Sequence, residues 1–201
     1  MTQNAIVSRA SIDLVRADVA FAGYAGIPPL LQGFDRGEWT IGLTATAPNL
    51  ATARPHLGVE NTYLVRGTAP FQGVADVDRA GVRVSVAQGN NTDTYLTANL
   101  RAATLIRFPT VPDALAALQS GAVDAFAGAR DTALGFLPQL PGGRVLPDAF
   151  ATFYLGISVG TDRVDALAYL NGFVERAKRS GLIQTAVNRA GLTGVTIPPP
   201  L

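Results

Sequence analysis

Apolar and polar positions along this chain switch repeatedly between a two-residue and a 3.6-residue spacing. Residues 11–17 (SIDLVRA) predict a short helix with Ser11 as its cap, and residues 18–24 (DVAFAGY) alternate as a strand does. Gly26-Ile27-Pro28-Pro29 leads into a helix with Leu30, Leu31 and Phe34 on one face and Gly37 as its stop. Residues 39–46 (WTIGLTAT) predict a buried strand, Pro48 to Pro55 a loop, and residues 58–65 (GVENTYLV) a further strand. Asp76 to Gly81 predicts a turn before the strand at 82–87. Gln88 to Asp93 then forms a turn-and-cap cluster that opens a helix from Thr94. Residues 103–108 predict a strand, 111–120 a helix ended by Gly121, and 123–128 a strand. After a loop from Pro138 to Pro147 comes a long strand at 150–160. A long amphipathic helix capped by Asp162 and stopped by Gly181 follows, then a last helix ending at Gly191 and an extended tail. Strands alternating with helices predict an α/β fold with parallel sheet covered on both faces.

Composition narrows the class. Apolar residues make up 48% and charged residues 15% of 201, which favours a packed core over disorder. The apolar runs are all shorter than the roughly 20 residues of a membrane-spanning helix. Net charge is +1 and the basic residues form no run, the opposite of the clustered charge typical of nucleic-acid binders. With no Cys and a single His, His56, disulfides are excluded and no metal site or cofactor is expected. The first residues lack the basic start and apolar core of a secretory signal. That leaves a cytoplasmic protein or an export segment outside this sequence.

Five segments in order carry a family resemblance: Gln32–Gly42 (QGFDRGEWTIG), Glu60–Val65 (ENTYLV), Asp76–Gly89 (DVDRAGVRVSVAQG), Ala114–Gly128 (ALAALQSGAVDAFAG), and Leu155–Gly160 (LGISVG) with the helix bearing Asn171 and Gly181. Together they resemble the amino-acid-type (family 3) solute-binding proteins of ABC importers, in the type II periplasmic-binding-protein superfamily. The resemblance implies two α/β lobes joined by two crossing strands, near 61–65 and 153–156. Lobe 1 would comprise residues 1–62 and 155–201 without the family's usual first strand, and lobe 2 residues 66–152. It implies a binder that traps a small anionic or zwitterionic solute, amino-acid-like or a carboxylate, and presents it to a membrane permease outside the cytoplasm. An unpaired sheet edge left by a missing first strand would favour a homodimer. Two departures stand out. The loop where the family carries a carboxylate-gripping Arg is short here and offers Arg54. Where the family often places an Asp for the ligand amine, this chain has Ala129 followed by Arg130. The alternative is a cytoplasmic sensory or dehydratase-like descendant of the same fold, or a degenerate copy that binds nothing.

The candidate ligand-binding residues follow from strand ends. Gln88, Gly89, Asn90, Asn91 and Thr92 sit where a strand passes into a helix, and free amides there favour a carboxylate or phosphate. The plain alternative is an ordinary capped turn. Thr44, Ala45 and Thr46 end a strand, the edge at which open α/β sheets take ligands. Arg130 could hold a carboxylate bidentately, or could pair with Asp131 or face solvent. Arg54 has the same choice, and Tyr24 could wall a cleft. Phe21 is a further aromatic candidate, and Trp39 reads as core. His56 reads as a packing or surface residue, and Asp124 as a turn residue. Glu38, Glu60 and His56 are the groups available to an acid–base reading.

Overall fold

The computed structural model describes residues 20–24, 26–44, 49–163 and 165–201. By its contacts the chain divides into two compact units. One runs up to Gly58 and resumes at Tyr154–Leu201, and the other is Val59–Phe153. Two strands run through these boundaries, β3 (Leu57–Val65) and β8 (Ala151–Gly160).

In the first unit, helix α1 (Ile27–Asp35) begins with Pro near its amino end and closes at Gly37, whose φ of 72° a glycine adopts without penalty. Strands β1 (Gly42–Thr44) and β2 (Leu50–Thr52) both pair antiparallel with β8, through Thr44↔Gly156 and Thr52↔Ser158. Gly156 permits this crowding: a Cβ there would lie 2.6 Å from the Ala53 carbonyl oxygen. Helices α5 (Ala166–Arg179) and α6 (Leu182–Ala190) follow, and Ala53, Ile157, Val159, Leu170 and Val174 form this unit's core.

The second unit holds β4 (Arg83–Ala87), β5 (Thr104–Phe108) and β6 (Ala125–Ala129), mutually parallel in the order β6-β4-β5. β3 adds antiparallel to β6 through Asn61↔Ala129, and β7 (Arg144–Val145) covers the far side of β3. Helices α2 (Asn91–Asn99), α3 (Val111–Gln119) and α4 (Arg130–Phe136) follow β4, β5 and β6 in turn. Alternate strand residues feed two clusters. One holds Tyr63, Val65, Val84, Ala125 and Leu96, the other Leu64, Phe126, Leu115 and Leu118. Burial on both faces explains why these strands are almost continuously apolar.

Several expectations are corrected. The sheet is parallel only among β4, β5 and β6, because both crossing strands pair antiparallel. Residues 20–24 form no strand, while residues 11–17 and the start of the 18–24 pattern lie outside the described residues. Of the described part of the 39–46 strand, Gly42–Thr44 is regular while 45 and 46 lie outside the described residues, and the Pro48–Pro55 loop contains β2, recruited by β8. Trp39 precedes the strand, where its indole Nε1 donates to the Leu30 carbonyl and its ring meets Phe34 at 4.9 Å. α2 starts at Asn91 rather than Thr94, because Asn90 caps it. α4 was not expected. Asp162 lies in a one-turn 3-10 segment, and α5 has no side-chain cap. Asp124 does more than serve its turn: its carboxylate takes two bonds from the Arg83 guanidinium, at 3.0 and 2.9 Å.

His56 is buried, with 5% exposure, and neither ring nitrogen has a hydrogen-bond partner among the described residues. Burial, and secondarily the Lys178 charge, lower its pKa to about 4. The unfolded chain takes up this proton below pH about 6.5 and the folded chain does not. Stability is therefore full above pH 6.5 and falls as pH drops toward 4, by on the order of 3 kcal/mol. Asp131, whose pKa burial raises, works in the opposite sense, so a matched variant is needed. Urea denaturation of wild type and His56→Leu between pH 7 and 4 should show this loss in wild type and its absence in the variant.

Candidate functional site

Because β4, β5 and β6 are parallel, their carboxyl ends share one edge of the second unit's sheet. β3, running the other way, brings Asn61 to the same edge. This edge collects Gln88, Gly89, Asn90, Asn91, Thr92 and Arg130 from the sequence candidates, together with Glu60 and Asn61. Ligands of open α/β sheets bind at such carboxyl edges.

The loop between β4 and α2 is fixed from within. Gly89, at φ 74°, turns the chain, and its amide donates to Asp93 Oδ2 at 2.9 Å. The other Asp93 oxygen accepts from Arg107 Nε at 2.8 Å and Thr97 Oγ1 at 3.2 Å. Asn90 Oδ1 accepts from the Asp93 amide at 2.8 Å, which makes Asn90 the helix cap. Two of the loop's amides are therefore satisfied internally. The amides of Asn91 and Thr92 have no partner among the described residues, and neither do the side-chain amides of Gln88 and Asn91. They open the positive end of α2. Beside them, Thr92 Oγ1 donates to Asn61 Oδ1 at 2.8 Å, and both residues are buried, at 4% and 3% exposure.

Arg130 is committed inside the second unit. Its Nε donates to Glu60 Oε2 at 2.6 Å, Nη1 to the Leu146 carbonyl at 2.9 Å, and Nη2 to the carbonyls of Pro147 and Asp148, both at 3.0 Å. These bonds leave one N–H of the guanidinium's five for anything else, and the side chain is 14% exposed. Neither expected alternative, Asp131 or open solvent, is its partner.

In the first unit β1 and β2 both end opposite the same stretch of β8. Thr44 and Arg54 thus belong to one edge of that sheet. Thr44 is 2% exposed, and its Oγ1 has no partner among the described residues. Arg54 is exposed and anchored through its backbone, whose amide donates to Asn171 Oδ1 at 2.7 Å. Tyr24 lies over α1 at Gly33, where a Cβ would meet its ring, and its hydroxyl donates to Glu38 Oε2 at 2.7 Å. Arg36 and then Tyr24 hold the Glu38 carboxyl below the usual range. Ala45 and Thr46 lie outside the described residues.

Reading the sequence missed Asn61, Asp93 and Arg107. Asp93 had a signal, three residues after a capping Asn. The polar run Glu60-Asn61-Thr62 inside β3 was a second one. Arg107 had none, since its role depends on the β4–β5 register. Among the described residues no cluster of His, Asp or Glu could hold a metal ion, and no helix is long and apolar enough to cross a membrane.

No family model matches the sequence, and no curated protein matches it. Solved structures do. One is a putative binding component of an ABC transporter from Wolinella succinogenes complexed with lysine: TM-score 0.79, 16% identity, covering 92% of this chain and 84% of that one. Another is the amino acid ABC transporter substrate-binding protein AbpA from Streptococcus pneumoniae bound to L-arginine: TM-score 0.76, 18% identity, covering 94% and 83%. A third is the GluR0 ligand-binding core from Nostoc punctiforme in complex with L-glutamate: TM-score 0.73, 15% identity, covering 91% and 87%. The fold is therefore that of the type II periplasmic binding proteins.

The buried Asn61–Thr92 contact can be tested alone. Thr92→Val leaves Asn61 Oδ1 without its donor and should cost about 1–3 kcal/mol, whereas Thr92→Ser should retain most of the stability. Urea midpoints at neutral pH distinguish the two.

Proposed function

We propose that this chain is the substrate-binding component of an ABC importer and that it captures a small amino-acid-like or carboxylate solute. The observation that carries the reading is the pair of unpartnered amides, Asn91 and Thr92, at the start of α2. They stand at a sheet edge on a fold whose solved neighbours were obtained with lysine, L-arginine and L-glutamate. A solute carboxylate would take these two amides, with the helix dipole behind them. Gly89 keeps the approach open, and Gln88 and Asn91 offer further donors. Arg130 serves binding indirectly, by fixing the strand ends from which the site is built.

The acid–base reading has less to work with. Glu60 is paired with Arg130, Glu38 with Arg36 and Tyr24, and His56 is enclosed in the first unit. A membrane permease partner and a place of action outside the cytoplasm complete the proposal.

Isothermal titration with L-glutamate, L-arginine and L-lysine tests it. At least one should bind with a Kd on the order of micromolar. Asn91→Pro removes one candidate donor at a position where helices accept proline, after a residue already extended at φ −86°, ψ 172°. That variant should stay folded and weaken the bound amino acid by about tenfold or more. The absence of binding by all three at millimolar concentration, or unchanged affinity in the variant, would contradict the proposal.

A further inference from the structure

The turn that offers the Asn91 and Thr92 amides also carries a charge of the wrong sign for an anion. Asp93 is the acidic residue of the first turn of α2, two residues after Asn91. A carboxylate there already uses the positive end of the helix. Left uncompensated, it would repel a second anion brought to the neighbouring amides. Its side chain is 10% exposed, so solvent and salt screen that repulsion weakly.

Arg107 cancels the charge from the adjacent strand. It stands opposite Val86 in the parallel β4–β5 pair, two residues before Gln88. Its Nε donates to Asp93 Oδ1 at 2.8 Å, and its Nη2 donates to Thr97 Oγ1 at 2.7 Å, one turn further along α2. Two donors of one guanidinium thus fix the cation beside the carboxylate. Capping a helix does not require such a pair. α3 begins in the same way, with Thr110 Oγ1 accepting from the Asp113 amide at 3.2 Å. There Asp113 Oδ2 takes its bond from the Thr110 hydroxyl, at 2.6 Å, and not from a cation.

We infer that Arg107 makes the start of α2 receptive to an anion by cancelling the Asp93 charge. In the solute-binding reading, on which this rests, that anion is the carboxylate of the solute. Arg107 is then a positioning and charge-setting residue that need not touch the solute. It acts through Asp93, which it holds against the loop and whose charge it offsets.

Two measurements separate this role from the reading it serves. In isothermal titration with L-glutamate, L-arginine and L-lysine, Arg107→Met should weaken whichever binds wild type by about tenfold or more. Arg107→Lys should lose less, and Arg107→Met combined with Asp93→Asn should recover most of the loss. A purely structural Arg107 would leave the double variant as weak as the single one. The second measurement needs no solute. The chain has no Cys, so Asn91→Cys introduces a single thiol, at the first position of α2. Its rate of reaction with iodoacetamide at pH 7 follows its thiolate fraction. That rate should fall about threefold or more with Arg107→Met and return when Asp93→Asn is added. An unchanged rate in Arg107→Met, or no recovery in the double variant, overturns the inference. Absence of binding by all three amino acids in wild type would overturn the solute-binding reading and leave the thiol rates to decide on Arg107. If Arg107→Met does not fold, Asp93→Asn with Arg107 intact should raise the thiol rate by about threefold or more, and an unchanged rate there overturns the inference.

Discussion

One guanidinium holds together the stretches of chain from which both connecting strands leave the second unit. Arg130 reaches Glu60, near the start of β3, and the carbonyls of Leu146, Pro147 and Asp148, just ahead of β8. A planar fork suits this task because several acceptors lie within its plane's reach, which a lysine ammonium would meet less specifically. Removing it would take the donor from the Pro147 carbonyl and the partner from the Glu60 carboxylate, and would leave the Leu146 and Asp148 carbonyls to the Thr62 hydroxyl alone.

The arrangement of the site follows from that constraint. Fixing Glu60 fixes its neighbour Asn61, Asn61 accepts from Thr92, and Thr92 sits in the first turn of α2. The Gly89–Asp93–Arg107 bonds lock the other side of the same turn. Both sets of contacts leave the Asn91 and Thr92 amides without a partner among the described residues. A site built on strand ends and a capped helix loses little freedom when it binds.

Much of this was legible in the sequence, because strong periodicity coincided with long elements. β3, β4, β5, β8, α3 and α6 stand within a residue or two of the spacing that predicts them. The failures have physical causes. α4 is only seven residues long and follows β6 with no side-chain cap, so nothing in RDTALGF announces a helix. β2 exists because β8 offers it a ladder, and a three-residue strand has no period of its own. The candidate loop Gln88–Thr92 could be found from its turn residues and cap. Arg130 was found as a residue, but its role was open, since its acceptors are backbone carbonyls sixteen to eighteen residues away and no sequence pattern encodes them.

Hydrogen exchange on Arg130→Met, which keeps the apolar stem and loses the fork, tests this account most directly. The amides of Leu146 and Phe150 bond to the Tyr63 and Asn61 carbonyls of β3, each at 2.9 Å. They should exchange about tenfold faster or more in the variant, while the β4–β5 ladder keeps its protection. Wild-type protection at Leu146 and Phe150 in the variant would show that Arg130 does not hold the connecting strands in place.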